Sequence, residues 1–307
     1  MLLLLQSSNF QWVLFSTLLL GVASGLVGGL AYWRKQSLVS DALSHAALPG
    51  VVVAFLLFQV KDLFVLIIGA GVSALLGALL IMLIKSTTRI TEDTAMGMIL
   101  SVFFGGGIVL LTLVNRTAQG NQAGLDSFIF GQAASMVSSD VKLMSVLAAI
   151  VIMIVIVGFK EWKLFLFDPD FAKGLNLSVK GLNLIYLILL VMTIVIGIQA
   201  VGVILMSALI IIPPVSARYW THSFKTMMWL SGIFGGAAGA IGTTLSTLGA
   251  GWPTGPFIVV TSGTIFLFSL FLGSKKGMVV EYILRRNKQR EVHRHLVSTS
   301  YVKEGNQ

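Results

Sequence analysis

The chain has 307 residues, 56% of them apolar and only 11% charged, with a net charge of +9. An ordinary soluble domain carries about 25% charged residues, so a mean hydropathy of +0.93 excludes that class. Cysteine is absent, which excludes disulfides and thiolate metal sites and disfavours soft-ion chemistry such as Cu(I) transport. Apolar stretches of about 18 residues or more recur along the chain, so the expected class is an all-α, polytopic integral membrane protein.

Nine transmembrane helices are expected, at about 11–33, 38–58, 62–84, 94–114, 141–159, 181–199, 201–219, 227–247 and 256–273, with eight or ten also compatible with the pattern. The first charge is Arg34, so no basic segment precedes the first apolar run, no ordinary signal peptide is expected and Met1–Phe10 reads as an interfacial lead-in. The stretch 181–219 is continuously apolar and must fold back near Gly197–Gly202. Residues 1–274 form one expected membrane domain, and 275–307 a basic cytoplasmic tail whose His293 and His295 read as solvated.

With the amino terminus outside and the spans alternating, 18 of the 21 Lys and Arg residues fall on the cytoplasmic side; Lys61, Arg116 and Lys142 do not. The positive-inside rule requires such a bias. The basic charge therefore reads as topology and contact with anionic membrane lipid, and no nucleic-acid partner is expected.

Asp41 and His45 are the only carboxylate and imidazole within the core of a long apolar segment, in Ser40–Gly50. A charge at membrane depth costs roughly 2.5–3.5 kcal/mol on insertion scales, so such residues are rare and functional by default. Spaced i and i+4, they project from one helix face about 6 Å apart. An oxygen and a nitrogen ligand side by side suit a divalent cation in transit; the alternative is a mutually hydrogen-bonded pair packed on a neighbouring helix. Pro49 leaves the carbonyl of residue 45 without its helical donor, and broken backbone at depth is tolerated where it lines a cavity. Ser40 and Ser44 add hydroxyls nearby.

Other features are less specific. Gly28-Gly29, Gly105-Gly106-Gly107 and Gly235-Gly236 suit close helix packing, with hinging as the alternative. Thr91-Glu92-Asp93 reads as a cap with acids at a helix amino end; Glu92 and Asp93 could also meet a cation at the exit. The loop 115–140 carries the apolar patch Phe128-Ile129-Phe130, suited to an external partner or the membrane edge. In Phe167-Asp168-Pro169-Asp170-Phe171-Ala172-Lys173-Gly174, Asp168 suits an N-cap, Pro169 the first helical position and Gly174 the position just past the end. The result is a short helix outside the membrane, either a docking element or a plain interfacial helix. Pro213-Pro214 is expected to break or bend the seventh span.

There is no G-x-x-x-x-G-K-[ST], so P-loop ATP hydrolysis is excluded, and no H-E-x-x-H. No nucleophile–base pair supports an enzyme. Ser40–Gly50, Glu92–Gly97, Phe167–Gly174, Val201–Leu205 with Ala208–Pro213, and Thr254-Gly255-Pro256 occur in an order that resembles the permease subunits of bacterial ABC importers for manganese, zinc and iron. The resemblance covers about residues 12–273. It implies a bacterial inner-membrane protein with the ABC importer permease fold, paired with a second permease copy or a paralogue. It also implies cytoplasmic ATP-binding subunits, an external metal-binding protein and a transported Mn2+, Zn2+ or Fe2+ ion in place of any resident cofactor. By the same resemblance Asp41 and His45 match the metal ligands and Phe167–Gly174 the helix that couples to the ATPase. Pro214 departs from the pattern, where a small residue is expected. The rival is a secondary metal transporter driven by an ion gradient, which calls for several intramembrane acids.

Overall fold

A computed structural model describes residues 8–60, 62–117, 131, 136–249, 252–282 and 286. The helices in chain order are α1 (Ser8–Trp33), α2 (Val39–Phe58), α3 (Leu63–Thr87), α4 (Glu92–Thr117), α5 (Ser138–Val157), α6 (Phe159–Phe167), α7 (Pro169–Gly174), α8 (Val179–Val201), α9 (Val203–Arg218), α10 (Phe224–Ser246) and α11 (Thr254–Leu272). No strand occurs among the described residues.

Eight helices are long and apolar enough to cross a membrane, and each lies on an expected span. The ninth expected span is α9, whose 16 residues give about 24 Å, short of the roughly 30 Å hydrocarbon core. The fold-back falls on Gly202, the single residue between α8 and α9. Its φ of 97° lies in a region that a side chain rarely adopts, while its N–H still donates to the Ile198 carbonyl at 2.8 Å. The expected break at Pro213-Pro214 does not occur: α9 runs through both prolines. Likewise α2 runs unbroken through Pro49. Proline removes one hydrogen bond, and tertiary packing here holds the remaining turns.

Helices α1 and α8 form the centre, each about 72% buried over its most apolar window, whereas α4 is 22% buried and lies at the edge. The tightest crossing joins α1 to α10. A Cβ added at Gly21 would sit 2.1 Å from the Gly235 carbonyl oxygen, and one at Gly25 would sit 2.1 Å from that of Ser231. Backbones therefore touch, the Ser231 hydroxyl donates to the Gly25 carbonyl, and the Thr17 and Thr243 hydroxyls meet at 2.9 Å. Without water to expel, such contacts and interhelical hydrogen bonds hold membrane helices together. Gly28, Gly29, Gly235 and Gly236 all pack as expected, but Gly105 and Gly106 face open space and only Gly107 packs, on Leu48 and Pro49.

One end of the bundle gathers the end of α1, helices α6 and α7, the end of α9 and the start of α10. Trp33 packs edge-on against Phe167 and Phe224, the Arg218 guanidinium lies over the Trp33 ring, and the backbone N–H of Lys275 donates to the Tyr219 carbonyl. Alternating spans place these ends together, as the charge count required.

Candidate functional site

Asp41 stands in the first turn of α2 and His45 one turn later. Their side chains share a face, with Asp41 Oδ1 3.8 Å from His45 Nε2. That distance is too long for a hydrogen bond, so the bland alternative of a mutually bonded pair is not the arrangement found. The His45 ring is held instead by Phe104 of α4, edge to face with centroids 4.6 Å apart. Its Nδ1 is buried and has no hydrogen-bond partner. An imidazole fixed by packing, with one nitrogen unsatisfied and the other beside a carboxylate oxygen, is equipped to bind a cation rather than to stabilise its own helix.

His45 packs level with the middle of α4, and Asp41 stands one turn nearer the end of α2 that meets Glu92 through Gln36. Phe104 is 12 residues into α4, roughly 18 Å along it from Glu92 at 1.5 Å per residue. That is about half of the 30 Å apolar thickness. The side chain of Asp41 is 38% exposed and that of His45 14%, so the carboxylate side of the pair is the more open one. On α4, Gly97, Ser101 and Gly105 are exposed, and an added Cβ at either glycine has no described neighbour within 4 Å. Ser40 and Ser44 are fully buried, and their hydroxyls are already engaged, donating to the carbonyls of Ser37 and Ser40. Below Pro49 the same side of α2 opens into an apolar cavity of about 630 Å³ between α2, α3 and α4. Among the described residues no group of three or more acidic or His side chains gathers, so this chain alone offers a metal two ligands.

The segment Phe167–Gly174 forms two helices rather than one. Phe167 closes α6, an amphipathic helix that burial of Trp162 and Phe165 holds to the bundle. Asp168 caps α7, accepting from the Phe171 N–H at 2.9 Å, and Pro169 takes the first position. Ala172 is fully buried beneath the helix while Phe171, Asp170 and Lys173 point outward. The Lys173 ammonium pairs with Asp170 at 2.8 Å, and this hydrogen bond holds the Asp170 carboxyl below its usual range. Gly174 is not the residue past the end. It lies inside the last turn with open space around it, and the left-handed position falls on Asn176, with φ 63°. Asparagine tolerates that conformation, so the helix stop did not need the glycine.

Glu92 starts α4, as the cap reading required, with the Thr91 and Thr94 hydroxyls 2.8 Å apart beside it. Its carboxylate accepts from Lys85 of α3 and from the Gln36 amide, tying three segments together, whereas Asp93 is exposed. The structure does not bring Glu92 or Asp93 into contact with the Asp41/His45 pair. Sequence reasoning passed over Arg34, which counted there only as a topology charge. Its guanidinium lies 4.9 Å from the Phe165 ring centroid and 4.6 Å from that of Tyr186, and donates to Asn183 at 2.6 Å. Burial lowers its pKa, with Tyr186 and Glu92 acting in the opposite direction. The Phe128-Ile129-Phe130 patch, His293 and His295 lie outside the described residues.

Known proteins share this arrangement of spans. The chain is 47% identical to the manganese transport system membrane protein MntC of Bacillus subtilis, over 94% of this chain and 67% of that protein. It is 42% identical to the zinc transport system membrane protein TroC of Treponema pallidum, over 91% of this chain and 93% of that one. Among solved structures, a chain of PsaBC from Streptococcus pneumoniae in complex with Fab superposes with a TM-score of 0.77. The two are 30% identical, over 89% of this chain and 95% of that one. Residues 6–273, which include every membrane helix described above, match the ABC 3 transport family, and the chain belongs to that family.

Proposed function

We propose that this chain is the permease subunit of an ATP-driven importer of manganese or zinc, and that Asp41 and His45 bind the ion at an axis shared by two permeases. The single observation that carries the site is a partly exposed carboxylate beside an imidazole nitrogen on one face of α2, with no hydrogen bond between them. Lipid against that face would leave the carboxylate without a partner. A second permease, identical or paralogous, supplies two more ligands and a second carboxylate. Four side chains satisfy Zn2+ and most of the shell of Mn2+, and two carboxylates balance the 2+ charge. The names of the similar proteins support manganese or zinc as cargo, and the PsaBC structure supports a permease pair.

In this reading the amino terminus is outside, and the face carrying α6 and α7 is cytoplasmic. A separate ATPase docks on the outward side chains of α7, and an external binding protein delivers the ion opposite. Asp41 and His45 from each copy exchange water ligands for protein ligands. The apolar walls around them give a hydrated ion no other resting place in the bundle. Metal analysis of the purified, cargo-loaded complex tests the shared site: one bound ion per permease pair is expected, and one independent ion per chain refutes it. Competition among Mn2+, Zn2+ and Fe2+ for uptake then identifies the cargo.

A further inference from the structure

The Arg34 cluster stands beside a second cavity, whose lining includes neither Asp41 nor His45. It has a volume of about 780 Å³ and opens between α3, α6, α7 and α8 at the end of the bundle that carries the basic residues. Its polar groups are Arg34, Lys180 and Asn183; its remaining wall is largely apolar, with Met82, Leu184 and Leu187 running into the bundle. We propose that this cleft binds one anionic phospholipid, its phosphate between Arg34 and Lys180 and its acyl chains along α3 and α8.

Four observations support this occupant. The guanidinium carries five N–H donors, and its bond to Asn183 uses one. Two aromatic rings and the asparagine fix the group at the cavity wall, which lowers the ordering cost of a phosphate contact. The nearest acid, Glu92, is already neutralised by Lys85 and held by Gln36, so the cleft keeps its positive sign. Finally, Lys180 stands at the start of α8 and Leu187 is seven residues further, about 10 Å deeper, so charge above and grease below follow the profile of a lipid. Basic pockets between membrane helices hold anionic head groups on this physics. Pro169 of α7 also lines the cleft, so an occupied cleft supports the short helix from behind.

The test is lipid retention by the assembled permease–ATPase complex in nanodiscs of phosphatidylcholine with phosphatidylglycerol, read by native mass spectrometry. One retained phosphatidylglycerol per permease chain is expected. Lys180→Gln, at an exposed position that leaves the fold alone, weakens retention about five-fold, and Arg34→Gln at least as much. Lys225→Gln, an exposed lysine outside the cleft, changes nothing. Equal retention by all variants overturns the proposal. So does binding of inorganic phosphate at the cleft without lipid, or loss of the lipid whenever the ATPase is present, which would make the cleft a protein seat. The measurement is blind to leaflet and to the transported ion, so its outcome is separate from the orientation and metal readings.

Discussion

Replacing Asp41 with Asn separates the metal reading from a structural one because stability and transport move in opposite directions. The amide is the same size, so packing on α2 is unchanged, and the carboxylate makes no hydrogen bond that would be lost. Removing a charge at membrane depth relieves up to about 2.5–3.5 kcal/mol of burial cost, less here because the side chain is 38% exposed before pairing. The complex should therefore assemble normally and melt no lower than the parent. Metal affinity falls instead. Loss of a group that merely orients a ligand costs about 10–100-fold, and Asp41 is proposed as a direct ligand. Two copies are lost in a homodimer, so a drop of at least about 100-fold is expected, or about 2.7 kcal/mol. Uptake of radiolabelled manganese and zinc by cells, measured beside the melting curve of the purified complex, reads both. Unimpaired uptake, or uptake lost only because the complex falls apart, would refute the reasoning.

His45→Ala should abolish uptake with the complex assembled; normal uptake in this variant removes the imidazole from the site. Gly25→Val should prevent assembly, because even its Cβ would sit 2.1 Å from the Ser231 carbonyl oxygen, and overpacking costs about 1–3 kcal/mol or more. Yield of folded complex in mild detergent checks it. Gly174→Ala, by contrast, has open space and a helical position, so stability and uptake should be unchanged or slightly improved. Phe171→Ala should leave the membrane bundle intact and weaken ATPase association, measured by co-purification; full association removes α7 from the docking surface. Because the native chain has no cysteine, Ser139→Cys should react with an impermeant maleimide in intact cells and Asp170→Cys only after permeabilisation.

Most of the fold was legible because apolar length is a strong signal and α-helices are the simplest way to satisfy backbone polar groups in lipid. The eight membrane-length helices, the shorter α9, the fold-back at Gly202 and the N-cap of α7 follow from local chemistry. What local chemistry misjudged were places where tertiary contacts decide. Pro213 and Pro214 leave α9 unbroken, so of the expected break or bend the break is absent, and Asn176 takes the turn that a glycine rule assigned to Gly174. Helix α6 was missed because Lys160, Glu161 and Lys163 read as a loop after α5; only the burial of Trp162 and Phe165 against the bundle marks it as a helix held to the membrane domain.

The site was legible as a pair but not as an environment, and the distinction bears on how an ion could be held. The i, i+4 spacing of Asp41 and His45 placed them on one face, yet spacing alone allowed them to satisfy each other. The 3.8 Å separation, the unpartnered Nδ1 and the Phe104 ring across from it show two groups held apart at a fixed distance. The neighbouring edge of α4 bears Gly97, Ser101 and Gly105, which carry no bulk that would keep another helix away. A carboxylate facing lipid is costly, and a bare backbone facing lipid gains little dispersion contact; a second permease against both faces removes both penalties at once. Under the shared-site reading, the same contact that completes the ligand shell therefore also completes the packing. Gly105→Leu should then disrupt pairing and uptake together while each chain still folds, since among the described residues no other element lies within 4 Å of the added Cβ. Paired, transporting complexes of this variant, seen by cross-linking and uptake, would place the partner elsewhere.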